Sequence, residues 1–385
     1  MFSHKEVDGQ ARRALAVDIG GSKVLCGVVD ETGNVLRAQG EPLDKAKGLD
    51  GLMDAIRRCA ETALDGQRVD VVGATIPGLA DARRGLWVYA PFSGLSDIPI
   101  AQMLADVFRV PVAIENDVNA CALAEMRFGA CREVRDFIWM TVSNGVGGAV
   151  VLDGRLYTGA HGNAGEVGHL CVEDDPAKAL RCGCGRDGCL EAMASGFGLA
   201  QRYAEQGVSA KDIGARAKSG EPKACEAMAQ TGVYLGHAIA TCVNILNPSA
   251  VILGGGVSQD FDLFSDALMR AYQARVFARA NPDVCIRQTA LGYHAALLGA
   301  ATLGFDVLSS DGFQPLQRSP TAGMPSPHEE AHRALLSTLR KCEKIDTAKF
   351  PASQRTLLER RIAALQVALA LIERELHTET AFIKN

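Results

Sequence analysis

Between Gly168 and Ala192 the chain carries His169, Cys171, Cys182, Cys184 and Cys189. Thiolate and imidazole are the ligands zinc prefers, and three of the first with one of the second make a closed tetrahedral set. Gly183, Gly185 and Gly188 supply the turns that fold three sulfurs around one ion. Such a set, His169, Cys182, Cys184 and Cys189, leaves no coordination position for water, so the Zn²⁺ expected here is structural and not catalytic. Cys171, two residues after His169, can stand in for the histidine, and that alternative stays open.

A second group of polar residues interrupts an apolar run. In IENDVNACALAE, Glu115, Asn116 and Asp117 follow what reads as a buried strand, at the carboxyl end where open α/β sheets place ligands. Asp117 at such a position suits a general base for a hydroxyl. The competing reading is helix capping by Asn116 or Asp117. Three glycine-rich turns accompany it. VDIGGSK offers Asp18, Gly20, Gly21, Ser22 and Lys23, SNGVGGA offers Asn144 and Gly145, and a buried strand ends in Gly254, Gly255 and Gly256. Backbone N–H groups exposed by such turns cradle phosphates, an aspartate beside them can hold a metal-bound water, and a side-chain-free surface admits a flat base. Taken alone, VDIGGSK is equally a plain hairpin turn; the second glycine turn, able to face it across a cleft, favours the phosphate reading.

Positioning these residues requires a particular order of elements. ALAVDIGGSKVLCGVVDETGNVLRA reads as three strands joined by a glycine turn and a Thr-Gly-Asn turn. The helix GLDGLMDAIRRCAETALDG, the strand VDVVGATIPG, a helix near 100–108 and the strand VPVAIEND follow. The strand–turn–strand grammar recurs in FIWMTVSNGVGGAVVLDGRLYTG, which predicts a duplicated α/β unit with a cleft between its halves. Residues 193–247 read as mostly helical, SAVILGGGVS as a buried strand, and LGYHAALLGAATLG as a helix that closes the core. A Ser/Pro/Gly-rich linker then precedes two amphipathic helices; in the second, Leu358, Ile362, Leu365, Leu369, Ile372 and Leu376 form a coiled-coil seam. These readings divide the chain into an N-terminal α/β domain (14–119), a C-terminal α/β domain with the cysteine-rich loop (120–312), a linker (313–327) and a helical hairpin (328–385).

Composition excludes other classes. The 385 residues are 48% hydrophobic and 22% charged with a net charge of -5, which is ordinary for a globular protein and carries no electrostatic footprint for nucleic acid. No apolar run approaches the ~20 residues of a membrane span, and the N-terminus lacks a signal-peptide core. A cytoplasmic location is expected, where thiols stay reduced, so the twelve cysteines are no disulfide framework. Cys26, Cys59, Cys121, Cys242 and Cys285 read as buried small hydrophobes.

Taken in order, DIGGSK, ENDVNACALAE, GVGGAVVLDGRLYTGAHGNAGEVGH and CGCGRDGCLEA resemble the ROK (repressor, open reading frame, kinase) family over residues 14–305. The resemblance implies a two-domain actin-like ATPase (ribonuclease-H-like) fold with a cleft, here with the C-terminal helical hairpin added, and an ATP-dependent, Mg²⁺-dependent hexose kinase of glucokinase type. It puts the catalytic base on Asp117 and sugar contacts on Gly78, Asn116, Glu166, His169 and Glu191. ATP falls on Asp18, Gly20, Gly21, Ser22, Lys23, Asn144, Gly145 and Gly254 to Gly256, and structural zinc on His169, Cys182, Cys184 and Cys189. Asn144 stands where many family kinases have Thr, and Phe92-Ser93 where sugar kinases often have Asn-Leu. Glucose O6 is the expected acceptor, with N-acetylhexosamine or fructose behind it. A sugar-binding protein without catalysis is the other class, and a repressor is disfavoured because only about thirteen residues precede the first strand. The expected assembly is a homo-oligomer, dimer or tetramer, without nucleic-acid or membrane partners.

Overall fold

The computed structural model describes residues 11–90 and 94–309, with scattered helical positions between 335 and 369. The Phe92-Ser93 pair, the 313–327 linker and most of the expected hairpin lie outside the described residues. The chain divides into two compact units, Met1–Pro315 and Leu316–Asn385. In the second, Leu358, Ile362, Leu365 and Leu369 are helical and more covered than Glu359, Arg360, Ala363, Gln366 and Val367 among them.

The first unit opens with β1 (Arg13–Ile19), β2 (Lys23–Asp30) and β3 (Val35–Pro42), then α1 (Gly48–Leu64) and β4 (Val71–Ile76). Three short strands follow, β5 (Leu79–Asp81), β6 (Leu86–Ala90) and β7 (Leu95–Ile98), and then α2 (Ile100–Phe108), β8 (Val112–Asn116) and α3 (Asp117–Arg127). The second half starts with β9 (Phe137–Val142), β10 (Val146–Leu152) and β11 (Arg155–Tyr157). Helices α4 (Leu190–Ala194), α5 (Gly196–Tyr203), α6 (Ala210–Lys218) and α7 (Pro222–Leu246) lead to β12 (Ala250–Gly254), α8 (Ser265–Gln273), β13 (Cys285–Gln288) and α9 (Ala295–Ser309).

Two five-stranded sheets result, ordered β3-β2-β1-β4-β8 and β11-β10-β9-β12-β13. In each, a three-strand antiparallel meander continues into two parallel strands. The repeated grammar of the sequence is therefore a repeated topology. Parallel strands covered on both faces are almost wholly apolar, as in VVGATI of β4, where Thr75 is the one polar member, and AVILG of β12, whereas the edge strand β3 is mostly open to water. Helix α1 buries Leu52, Met53, Ile56, Cys59, Ala60 and Ala63, a face of steps of three and four, onto the first sheet. Burying each of its large side chains contributes about 1.5–3 kcal/mol. Helices α4 to α8 bury Leu199, Ile213, Leu235, Ile239 and Leu268 against the other sheet.

Helices α3 and α9 pack together between the sheets. Helix α9 lies against Ala14, Ala16, Val29 and Val71 of the first sheet through Leu297, Ala300, Ala301 and Phe305. Gly73 makes this approach possible, because a Cβ there would stand 1.7 Å from the Ala300 carbonyl oxygen. The last helix thus crosses back to the sheet on which the chain began. Cys285, expected to be a buried small hydrophobe, is instead exposed, because β13 is an edge strand whose side chains alternate.

Candidate active site

Asp117 is the first residue of α3, immediately beyond β8. Asn116 caps that helix, its side-chain oxygen accepting the N–H groups of Val118 (2.9 Å) and Asn119 (3.2 Å). Its amide nitrogen donates to the Gly78 carbonyl at 2.9 Å. The capping reading therefore holds for Asn116, whose side-chain amide also hydrogen-bonds the Asp117 carboxylate. Gly78 turns the chain with a φ of 83°. Asp117 takes the Val118 N–H on Oδ1 at 3.0 Å. Protein crowds it except on an edge that solvent reaches, and this desolvation, reinforced by the charge of Asp18, pushes its carboxyl up to about 7. Asp18, at the end of β1, is raised as well by burial, while a 2.8 Å hydrogen bond from Thr75 Oγ1 and the charge of Lys23 act against the rise.

The first glycine turn is closed by a 2.9 Å bond from Gly20 N to the Lys23 carbonyl, and Gly21, Ser22 and Lys23 at its tip are exposed. In the second turn, Ser143 N donates to the Gly145 carbonyl at 2.9 Å and Asn144 is exposed. Both tips therefore offer polar groups outward. The inner side of the second turn is engaged: Val146 N donates to Glu191 Oε2 at 3.2 Å. Gly254 and Gly255 have packing reasons for lacking a side chain, since a Cβ would meet the Trp139 ring at 2.3 Å and the Val142 carbonyl oxygen at 2.5 Å. Gly256 differs in being exposed, with only Ser143 Oγ near a Cβ position, at 3.9 Å. Of the three, Gly256 offers the open surface.

His169 ends a 3-10 turn (Val167–His169), and Cys189 precedes α4, whose second residue is Glu191. The ligand atoms of His169, Cys182, Cys184 and Cys189 all lie within 4.8 Å of one another. His169 Nδ1 is 3.8 Å from Cys182 Sγ, and Cys184 Sγ is 3.6 Å from Cys189 Sγ. The edges of a tetrahedron with zinc–ligand bonds of ~2.0–2.3 Å are about 3.3–3.8 Å, so these separations fit. Cys171 stands outside this set, its thiol 3.5 Å from the Glu173 carbonyl. The Arg186 backbone N–H and guanidinium pull the Cys184 thiol down to about 6, whereas burial and the neighbouring sulfurs push Cys189 up to about 12. Thiols so crowded cannot all ionise without a cation among them. The other imidazole nitrogen, Nε2, is 3.7 Å from Glu166 Oε2, so the ring presents one nitrogen to the sulfurs and the other to a carboxylate. Glu191 Oε1 lies 3.9 Å from Cys182 Sγ, so the carboxylate that holds the second glycine turn also touches the cluster.

Three residues of this neighbourhood escaped the sequence reading. Thr75, fully buried, stands out in hindsight as the polar member of an apolar strand. Glu125, also fully buried, accepts the Ala130 N–H at 2.8 Å and the Thr289 hydroxyl. Tyr293 accepts a hydrogen bond from Lys23 Nζ. Glu125 and Tyr293 depend on partners over 160 residues away, which no local pattern announces.

The ROK family profile matches residues 14–306. The chain is 33% identical over 313 residues to a glucokinase of Streptomyces coelicolor, covering 75% of this chain and 96% of that one. It is 32% identical over 299 residues to an N-acetylmannosamine kinase of Salmonella typhi, covering 75% and 97%. Among solved structures, a ROK family glucokinase from Streptomyces griseus in complex with glucose and AMPPNP superposes with a TM-score of 0.69 at 32% identity, covering 76% of this chain and 99% of that one.

Proposed function

Because the chain belongs to the ROK family and has its actin-like ATPase fold, we propose that it is an ATP-dependent hexose kinase that phosphorylates glucose at O6, with Asp117 as general base. The observation that carries this reading is the placement of Asp117. It is a crowded carboxylate with a pKa of about 7, at the start of α3 and electrostatically coupled to Asp18 beside the first glycine turn. A base with that pKa is half ionised near neutrality, which is where proton acceptance from a hydroxyl is most effective.

Asp117 Oδ1 is held by Val118 N, so Oδ2 takes the proton as the sugar oxygen attacks the γ-phosphorus and the bond to the ADP oxygen breaks. Asn116, the Gly78 turn, Glu166, His169 Nε2 and Glu191 hold the sugar ring. An acceptor fixed in this way gains roughly 7–11 kcal/mol over a freely diffusing one. The tips at Gly20 to Lys23 and Asn144 to Gly145 meet the phosphates, and Gly254 to Gly256 flank the nucleoside, with contact at Gly256. The charge of Asp18 raises the Asp117 carboxyl, burial raises that of Asp18, and such a pair of carboxylates suits a cation beside it. The Mg²⁺ that accompanies ATP would offset phosphate charge there, with Asp18 as the residue that holds its water. His169, Cys182, Cys184 and Cys189 would hold Zn²⁺, which fixes the loop between His169 and Glu191. The lobes built on the two sheets, 14–119 and 120–312 with α9 crossing between them, close to exclude water as a competing acceptor.

Sugar-dependent ADP formation over a panel of glucose, N-acetylmannosamine, N-acetylglucosamine and fructose tests this, with Asp117→Asn as control. Glucose is expected to give the highest kcat/KM. Sugar binding in a thermal-shift assay without turnover on any sugar would sink the kinase reading.

A further inference from the structure

Lys23, at the tip of the first glycine turn, donates from Nζ to the hydroxyl of Tyr293 and lies 5.0 Å from the centre of its ring. Tyr293 is 71% exposed, so its ring is not there to fill the core. It sits on a 3-10 turn (Gly292–His294) just ahead of α9. The segment leading to that turn is anchored: the Thr289 hydroxyl accepts Leu291 N–H at 3.0 Å and donates to the buried carboxylate of Glu125. Glu125 belongs to the same helix, α3, that begins with Asp117. One helix therefore presents the base at its start and, through Glu125 and Thr289, fixes the segment that carries Tyr293.

An ammonium has three N–H donors, and the Tyr293 hydroxyl uses one without neutralising the charge. Asp18 feels that charge, but among the described residues no carboxylate forms an ion pair with Lys23. Two donors and the full charge are left for an anion. We propose that Tyr293 is a positioning residue for nucleotide binding, holding Lys23 so that its ammonium meets the β- and γ-phosphate oxygens. The proposal rests on the reading of the glycine turn as an ATP phosphate site.

The test is a binding titration of the full-length protein with MgADP and a Mg-bound non-hydrolysable ATP analogue. The variants are Tyr293→Phe, Tyr293→Ala, Lys23→Met and the double variant Tyr293→Ala/Lys23→Met. Tyr293→Phe keeps the ring and is expected to weaken nucleotide binding about 2- to 5-fold, and Tyr293→Ala, which loses ring and hydroxyl, about 5- to 20-fold. Glucose affinity and melting temperature should stay at wild-type values, because the side chain is exposed. The double variant should bind no more weakly than Lys23→Met alone, since Tyr293 acts only through that lysine. Unchanged affinity in Tyr293→Ala, unchanged affinity in Lys23→Met, or losses that multiply in the double variant would each overturn the proposal. A wild-type protein that binds nucleotide but turns over no sugar defeats the kinase reading and leaves this proposal to be decided by the variants. One that binds no nucleotide defeats both.

Discussion

At the scale of single residues, Asp117 combines a functional gain with a structural cost. Its carboxyl, raised from 3.8 to about 7, prefers the protonated form in the fold. The ionised form therefore destabilises the free protein fully above about pH 7, and the penalty fades as pH falls towards 4. Asp117→Asn should abolish sugar-dependent turnover and yet raise the melting temperature at pH 8. About three pKa units correspond to ~4 kcal/mol, but water reaches one edge of the group, so a gain of about 1–3 kcal/mol is expected. Equal or lower melting temperature for the variant at pH 8 would contradict the assigned cost. The same ionisation sets a pH profile: kcat/KM for glucose should fall about tenfold per unit below pH ~6.5 and level off above pH ~7.5. A flat profile from pH 5 to 8 would rule out Asp117 as a base of this pKa. The residue itself was legible because polar groups after an apolar strand need a reason. Thr75 and Glu125 were not, since their roles exist only once distant strands and helices are brought together.

The loop from Val167 to Glu191 shows how one element can serve two chemistries. It presents sulfur and Nδ1 to a metal position and Nε2 to the Glu166 carboxylate, while Glu191 touches both the cluster and the second glycine turn. The loop has few long apolar side chains of its own, so an ion binding four of its side chains would contribute much of its order. Cys184→Ser, or treatment with a strong chelator, should remove about one zinc per chain and raise KM for glucose at least tenfold, with KM for ATP changed less than threefold. Metal analysis with paired KM measurements checks this; a larger effect on ATP than on glucose would mean that the loop serves the nucleotide. Elements of this kind were readable where spacing carried chemistry. The small sheet of β5, β6 and β7 was not, because strands of three to five residues interrupted by glycine and proline show too little alternation to be told from loop. Strand β13 was missed for the same reason, and the exposure of Cys285 went unnoticed with it.

At the scale of the molecule, the repeated sheet was legible because both halves open with a glycine-turned meander, whereas the return of α9 to the first sheet was not. A helix apolar on every side, as AALLGAATLGF is, fits a middle layer, but nothing local says which sheet it meets. Helices α3 and α9 form that layer, so motion of one sheet against the other has to be absorbed beside Asp117 and Tyr293. The C-terminal unit stands apart from this machinery in its composition. Its seam of Leu358, Ile362, Leu365 and Leu369 is the covered side of the described helical residues there. A stripe with steps of four and three, continued in sequence by Ile372 and Leu376, is the pattern by which helices pair, in one chain or between chains. Removing residues 328–385 should accordingly lower the number of chains per particle in solution, read by light scattering, while kcat for the sugar stays within about twofold, since none of the residues assigned to the reaction or to nucleotide binding lies beyond Tyr293. An unchanged number of chains per particle with lost turnover would reverse the assignment, making the hairpin part of the catalytic unit and not the means by which copies assemble.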